Sequence, residues 1–461
     1  MLSTALAVST LCLVLALLKW RRDGWAFAPA GMFLIFNYIA TVSVIRAAAP
    51  DDPVHTLFVA ICTYSLVAFF LSASAVARKR QPGEQTEDRK ALRSPFKTVL
   101  VLTVLGSVIV VAYYSVVGYS ALFEGIRASL SGDEATDIAG LRLESYAGNR
   151  YLFPGYVNQF KNAILPACII LIIAYHIGGA DKKLALAPPL VAAGALALMG
   201  TGQRQALILF VIVVIVLSVW HTGKLLNRYS LLAALLGAAA TAIGTFALGR
   251  GGDEVDSAPS LAGKLLVIYQ QILERALESG GVSKLVGFEY IYTEREVTFG
   301  REWAQGIAGV LPGYRGSTIA NEIFALLWGS TRGNSPPSIW ASGYHNFGYV
   351  SIALLPVLLG IGYALIGKWI SNTVSRVSPL GAIGLCGAIV SLGFWSSGGP
   401  VALLNSGLLA YLFLTWLDLS IIRSSSRNTH SRNPNPENSG SSRVSMIPDS
   451  GSDFPSPTGA N

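Results

Sequence analysis

Apolar residues in this chain come in unbroken runs separated by short polar breaks, and they do not alternate with polar ones. Leu2–Leu18, Ala26–Ala47, His55–Ala77 and Thr98–Val117 are the first four runs. Further runs cover Ala163–Ile177, Leu184–Met199, Gln205–Trp220, Tyr229–Leu248, Phe347–Gly367, Leu380–Trp395 and Val401–Leu419. A hydrocarbon core ~30 Å thick requires roughly 20 such residues per helix, because each backbone N–H and C=O must be satisfied inside the segment. The pattern predicts an all-α polytopic membrane protein with about eleven transmembrane helices, and continuously apolar runs exclude a β-barrel.

Two breaks are long. Residues 118–160 form a loop between the fourth and fifth runs, and residues 250–345 form a larger one before the ninth. The expected organisation is transmembrane helices over 1–249, the large loop 250–345, the last helices over 346–422, and a tail 423–461. That tail is Ser, Asn and Pro with little to bury, so it is expected to be disordered. Inside the large loop Leu261, Leu265, Ile268, Ile272 and Leu273 recur at helical spacing. They predict an amphipathic helix over Ser260–Ser279, capped by Ser260 and stopped by Gly280-Gly281. A second helix is predicted over Ser317–Trp328, and the stretch Gly300–Arg315 between them is apolar enough to dip into the membrane interface.

Charge orients these helices. The chain has 461 residues, 52% of them hydrophobic and 13% charged, against about 25% charged in soluble domains. Lys19-Trp20-Arg21-Arg22, Arg78-Lys79-Arg80, Lys182-Lys183, Lys224, Arg228, Lys368, Arg376 and Arg423 all fall on one side when the runs alternate. The positive-inside rule makes that side cytoplasmic, with the N-terminus outside and both long loops outside. The net charge of +8 is then mostly a topology signal, and no nucleic-acid partner is implied. The basic residues of the first run follow it, so it is expected to be retained as a helix. All four cysteines lie inside apolar runs, so neither disulfides nor thiolate metal sites are expected.

The candidate chemistry sits at the outer ends of the helices and in the outer loops. Arg204 opens the seventh run within Gly202-Gln203-Arg204, and Arg250 follows the eighth within Gly249-Arg250-Gly251. Charge near a bilayer core tends to face a cavity and a partner, and a guanidinium fork matches phosphate oxygens. Arg142 in the shorter loop, and Arg301 and Arg315 in the longer one, could join them. Of five histidines, His345 alone lies in the large loop, flanked by Tyr344 and Asn346 where the chain re-enters the membrane. An imidazole there can act as a general base or bind phosphate. Glu289, Glu294, Glu296 and Glu302 are further base candidates. Trp303, Trp340, Tyr290, Tyr292 and Tyr314 offer faces for sugar rings. No His/Asp spacing suggests a metal, and no cofactor is expected.

Three stretches resemble the O-antigen polymerase (Wzy-type) family of oligosaccharide repeat-unit polymerases. They are Thr201-Gly202-Gln203-Arg204 opening a helix, Thr298-Phe299-Gly300 followed by Leu311-Pro312, and Ser335-Pro336 followed by Tyr344-His345-Asn346-Phe347-Gly348. The resemblance implies a metal-independent, GT-C-like glycosyltransferase in the cell inner membrane with a periplasmic active site. It would join polyprenyl-diphosphate-linked oligosaccharides into O-antigen or exopolysaccharide, in company with membrane lipid, a chain-length regulator and a flippase. By the same resemblance Arg204 and Arg250 would hold the donor diphosphate, and His345 would activate the acceptor hydroxyl or stabilise the leaving diphosphate. A histidine directly before Asn-Phe-Gly is closer to the related O-antigen ligases, which leaves the acceptor open. A flippase or transporter is the alternative of another class. It would show inverted repeats and mid-membrane charges, whereas here charges gather at the outer ends and no repeat is visible.

Overall fold

The computed structural model describes residues 1–22, 28–76, 95–131, 137–147, 154–178, 187–247 and 280–431, apart from positions 312, 332 and 375, plus a few residues between 260 and 274. Among the described residues every regular element is a helix. The first half comprises α1 (Leu2–Arg22), α2 (Pro29–Ala47), α3 (Pro53–Val76), α4 (Phe96–Val117), α5 (Ala121–Ser131), α6 (Ile138–Ala147) and α7 (Pro154–Gln159). A π-helical turn, Phe160–Ile164, joins α7 to α8 (Leu165–Gly178), and α9 (Ala187–Met199), α10 (Arg204–Thr222) and α11 (Arg228–Ala247) follow. The second half comprises α12 (Gly280–Glu294), α13 (Arg301–Ala308), α14 (Ile319–Trp328), α15 (Ile339–Phe347), α16 (Tyr349–Val374), α17 (Pro379–Phe394), α18 (Val401–Asn405) and α19 (Leu408–Ser431). By internal packing Met1–Ser420 form one unit and Ile421–Asn461 another.

Nine helices among the described residues are long and apolar enough to cross a membrane. They correspond to nine of the expected runs, with boundaries shifted by a few residues. The other two differ for physical reasons. α9 has 13 residues, which at ~1.5 Å per residue is shorter than a hydrocarbon core of ~30 Å. The last run is broken into α18 and α19 at Ser406-Gly407, where Gly407 takes φ +90°. A side chain at Gly407 would press on Ala163 at 3.1 Å, so the break is also where the π-helical turn approaches α19.

The loops are built, not merely connecting. α5, α6 and α7 occupy the 118–160 break, and α12 to α15 occupy the end of the larger one. Gly280-Gly281, expected to stop a helix, instead begin α12. A Cβ at Gly281 would lie 2.0 Å from the Ser43 carbonyl oxygen, so this glycine marks a close helix crossing, not a cap. Most of the helix expected over Ser260–Ser279 lies outside the described residues, although Leu266, Val267, Tyr269 and Gln270 are helical. The second expected helix forms as α14. α19 continues to Ser431, beyond the expected start of the tail at 423, and residues 432–461 lie outside the described set.

The apolar interior has two large parts. One joins α1, α2, α3, α12, α14, α15 and α16 around Phe33, Phe58, Phe69, Phe288, Trp340 and Tyr363. The other joins α4, α8, α9, α10, α17 and α19 around Cys168, Leu198, Phe210, Leu385 and Tyr411. Large apolar side chains such as Leu11, Leu18, Val101, Val111 and Leu235 point outward. In water that surface would be a liability, and in a lipid solvent it is the expected exterior.

Candidate functional site

The site grows from α15. Pro336-Pro337 stiffen its approach, and the Ser338 hydroxyl accepts from the Ala341 amide to cap it. Trp340 is buried and donates its indole N–H to Asn37 Oδ1 of α2 at 2.9 Å. That bond ties the first turn of α15 to the membrane bundle. The last turn carries Tyr344, His345 and Asn346, and Gly348 ends it with φ +58°.

Asn346 is wholly buried and holds two segments together. Its Nδ2 donates to Glu302 Oε2 and to the Ser342 carbonyl, each at 2.9 Å. Its Oδ1 accepts from the Thr298 hydroxyl at 3.1 Å and from the Trp303 amide at 3.2 Å. The Trp303 amide lies in the first turn of α13 and lacks a partner within that helix, so Asn346 caps α13 from another element. The Trp303 indole donates to Ser342 Oγ at 2.8 Å, and the His345 carbonyl accepts from the Thr298 amide at 2.9 Å. Phe299 with φ +51° and Gly300 with φ +85° turn the chain sharply into α13.

This bracing forms one wall of an open cleft of ≈480 Å³. Glu294, Arg295, Glu296, Thr298, Arg301, Glu302, Glu322 and His345 are among the residues that line it. On the opposite wall Glu322 pairs with Arg295, accepts from Tyr290 Oη at 3.0 Å, and accepts from the Thr318 hydroxyl at 2.8 Å. The Arg295 guanidinium also lies over the Tyr290 ring, 5.0 Å from its centroid. Burial alone would raise the Glu322 pKa, but the hydrogen bonds from Thr318 and Tyr290 and the Arg295 charge outweigh it and hold the carboxylate below its ordinary range.

His345 is 7% exposed, and its Nδ1 has no hydrogen-bond partner among the described residues. Burial pushes its pKa below the ordinary histidine value, and Glu302 opposes that shift without reversing it. The imidazole is therefore neutral near pH 7 and lines the cleft, while its unpartnered Nδ1 is itself buried. Arg301 is exposed at the start of α13 and makes no ion pair among the described residues.

The structure brings together two of the expected site residues, His345 and Arg301, with Thr298 of the Thr298-Phe299-Gly300 stretch, and supplies Arg295 and Glu322, which sequence reasoning did not single out. Glu294, Glu296 and Glu302 also reach the cleft, while Glu289 faces His55 at 3.7 Å. Asn346, expected to touch substrate, spends its amide on bracing. Tyr344 packs in an aromatic group with Phe288, Tyr292 and Tyr349. Arg315 is exposed and is not a cleft-lining residue. Arg250 lies outside the described residues. Arg204 stands on α10, where its Nη1 donates to the Thr245 hydroxyl of α11. Arg142 lies against Gly202, two residues before Arg204.

Among the described residues no three His, Cys, Asp or Glu side chains gather as a metal site. No family model matches the chain, and no curated protein or solved structure matches it.

Proposed function

We propose that this chain is a glycosyltransferase that joins polyprenyl-diphosphate-linked oligosaccharide repeat units at the outer face of the inner membrane. One observation carries the reading: a half-buried cleft lining that combines a neutral imidazole, His345, with two arginines, Arg295 and Arg301. The cleft belongs to a bundle of membrane-crossing helices, where a lipid-linked substrate has access. In the full topology α9 and the broken pair α18–α19 complete about eleven passages, with the N-terminus and the cleft in the periplasm and the C-terminus in the cytoplasm.

In this reaction the acceptor hydroxyl hydrogen-bonds to His345. Its oxygen attacks the anomeric carbon of the donor chain while the proton passes to the imidazole. The bond from that carbon to the diphosphate oxygen breaks, and the carrier lipid leaves with the electron pair as a diphosphate. Charge on the leaving group needs fixed cations more than covalent help. Arg301 is available for that task, whereas Arg295 is held in place by Glu322. A chain-length regulator and a flippase are the expected partners.

The lipid-linked glycans of cells lacking the protein test the assignment. A repeat-unit polymerase predicts single repeat units on lipid outside and no long polymer. Long polymer that forms on the carrier but never reaches its final acceptor would make the chain a ligase, the reading that His345 before Asn346-Phe347-Gly348 favours. Repeat units retained on the cytoplasmic leaflet would make it a flippase.

A further inference from the structure

Beside the cleft, α13 and the turns after it leave a stripe of apolar side chains without protein cover. Ile307, Leu311 and Tyr314 are 50%, 53% and 66% exposed, and Ala304 is exposed with them. Positions 304, 307 and 311 share one face of a helix. Helical register persists past Ala308, because the Val310 amide donates to the Ile307 carbonyl at 3.1 Å and the Leu311 amide to the Ala308 carbonyl at 2.9 Å.

The helix has three distinct faces. Arg301, Glu302 and Gln305 line the cleft. Gly306 faces α18, where a Cβ would lie 2.8 Å from Val401 Cγ2. The third face is the apolar stripe. It continues onto a clasped turn, since a Cβ at Gly309 would lie 2.3 Å from the Gly316 Cα. Leu311, Gly313, Tyr314 and Arg315 are all exposed between those two glycines. A structured tip that shows Leu and Tyr to water is unfavourable, and such patches mark a contact surface.

Lipid is the partner that fits. α13 rests on α18, where the last apolar run begins. Further along that run α19 turns Leu409, Phe413 and Trp416 outward at helical spacing, as a lipid-facing helix does. The stripe therefore lies at the end of a lipid-facing surface and extends it. Tyr314 and Arg315 suit the boundary itself. Tyrosine has an apolar body with a polar tip, and a guanidinium can reach lipid phosphates from an apolar stem.

We propose that the face formed by Ala304, Ile307, Leu311 and Tyr314 is a seat in the membrane leaflet at this end of the bundle, with phospholipid as its partner. Arg315 then stands among the headgroups, and α13 lies along the membrane surface as amphipathic helices do. The cleft face of the same helix stays in water, so the seat fixes the height of the cleft above the bilayer. The inference does not rest on the glycosyl-transfer reading.

The test places a nitroxide on the full-length protein in nanodiscs of phosphatidylethanolamine and phosphatidylglycerol. The four native cysteines are buried, so labelling is directed to an introduced one. Ile307→Cys and Leu311→Cys report on the seat, Gln305→Cys on the cleft face, and Leu409→Cys on lipid. Collision with oxygen, which concentrates in lipid, is compared with collision with a water-soluble nickel complex. The expected oxygen-to-nickel ratio at Ile307 and Leu311 is severalfold above that at Gln305 and close to that at Leu409. Melting of each labelled protein checks its fold, and two seat positions keep the result independent of one label. A ratio at both seat positions equal to that at Gln305 would put the stripe in water and overturn the proposal. Loss of access to both reagents would also overturn it, because protein would then be the cover. Neither result would bear on transfer, which is read from the glycan profile.

Discussion

The two parts of the bundle treat polar groups in opposite ways. Around α12 to α15 the polar side chains satisfy one another. Asn346 makes four bonds at once, and Glu322 collects Arg295, Tyr290 and Thr318. His345 Nδ1 is an exception, without a partner among the described residues. In the π-helical turn, by contrast, the buried Lys161 meets only neutral oxygens among the described residues. A braced framework that leaves His345 and Arg301 at the cleft is preorganised for proton transfer beside a developing negative charge. The short helix α18 lies against both neighbourhoods.

Breaking the first region at its base should have the largest effect. His345→Ala is expected to lower transfer by about 10²–10⁴-fold, the usual contribution of a positioned general base. Transfer of a lipid-linked oligosaccharide by the purified variant, measured beside the parent, checks it.

Asn346→Ala should come next. It strands the Trp303 amide and Glu302, and is expected to destabilise the protein by about 2–4 kcal/mol, followed by thermal melting in detergent. Asn37→Leu removes the partner of the buried Trp340 indole, at a cost of about 1–3 kcal/mol. It should also reduce transfer without touching the cleft, because α15 loses its anchor. Unchanged transfer would mean that α15 is positioned from the loop side alone.

The pH dependence is smaller but distinctive. Because the folded pKa of His345 is depressed, transfer should hold as pH falls past about 6.5, the free histidine value, and decline only as pH nears the lower folded pKa. In the same window the unfolded chain binds the proton more readily, so stability from this group is full above about 6.5 and lost as pH falls towards the folded pKa. His345→Gln should flatten that slope in melting temperature against pH. The smallest expected effect is that of Phe299→Gly. The ring is 84% exposed and its backbone is left-handed, so glycine should raise stability by up to about 1 kcal/mol.

Much of the fold was legible in the sequence because continuous apolar runs have one structural use in a membrane. The misses come from interactions between segments. Gly280-Gly281 read as a helix stop, but Gly281 is there for contact with Ser43 on a helix far away in sequence. The break at Gly407 reflects its approach to Ala163, which no local pattern announces. His345 was legible because it is the only histidine of the large loop. Arg295 and Glu322 were not, since each reads as an ordinary loop charge until α12 and α14 bring them together. Arg204 was singled out together with His345, yet it stands in the other region.

The most direct test of base-driven transfer is the glycan profile of cells in which His345→Ala replaces the parent at equal membrane abundance. Polymerase chemistry at this cleft predicts single lipid-linked repeat units accumulating outside, with long polymer lost. Long polymer at the parental level from that variant would contradict it.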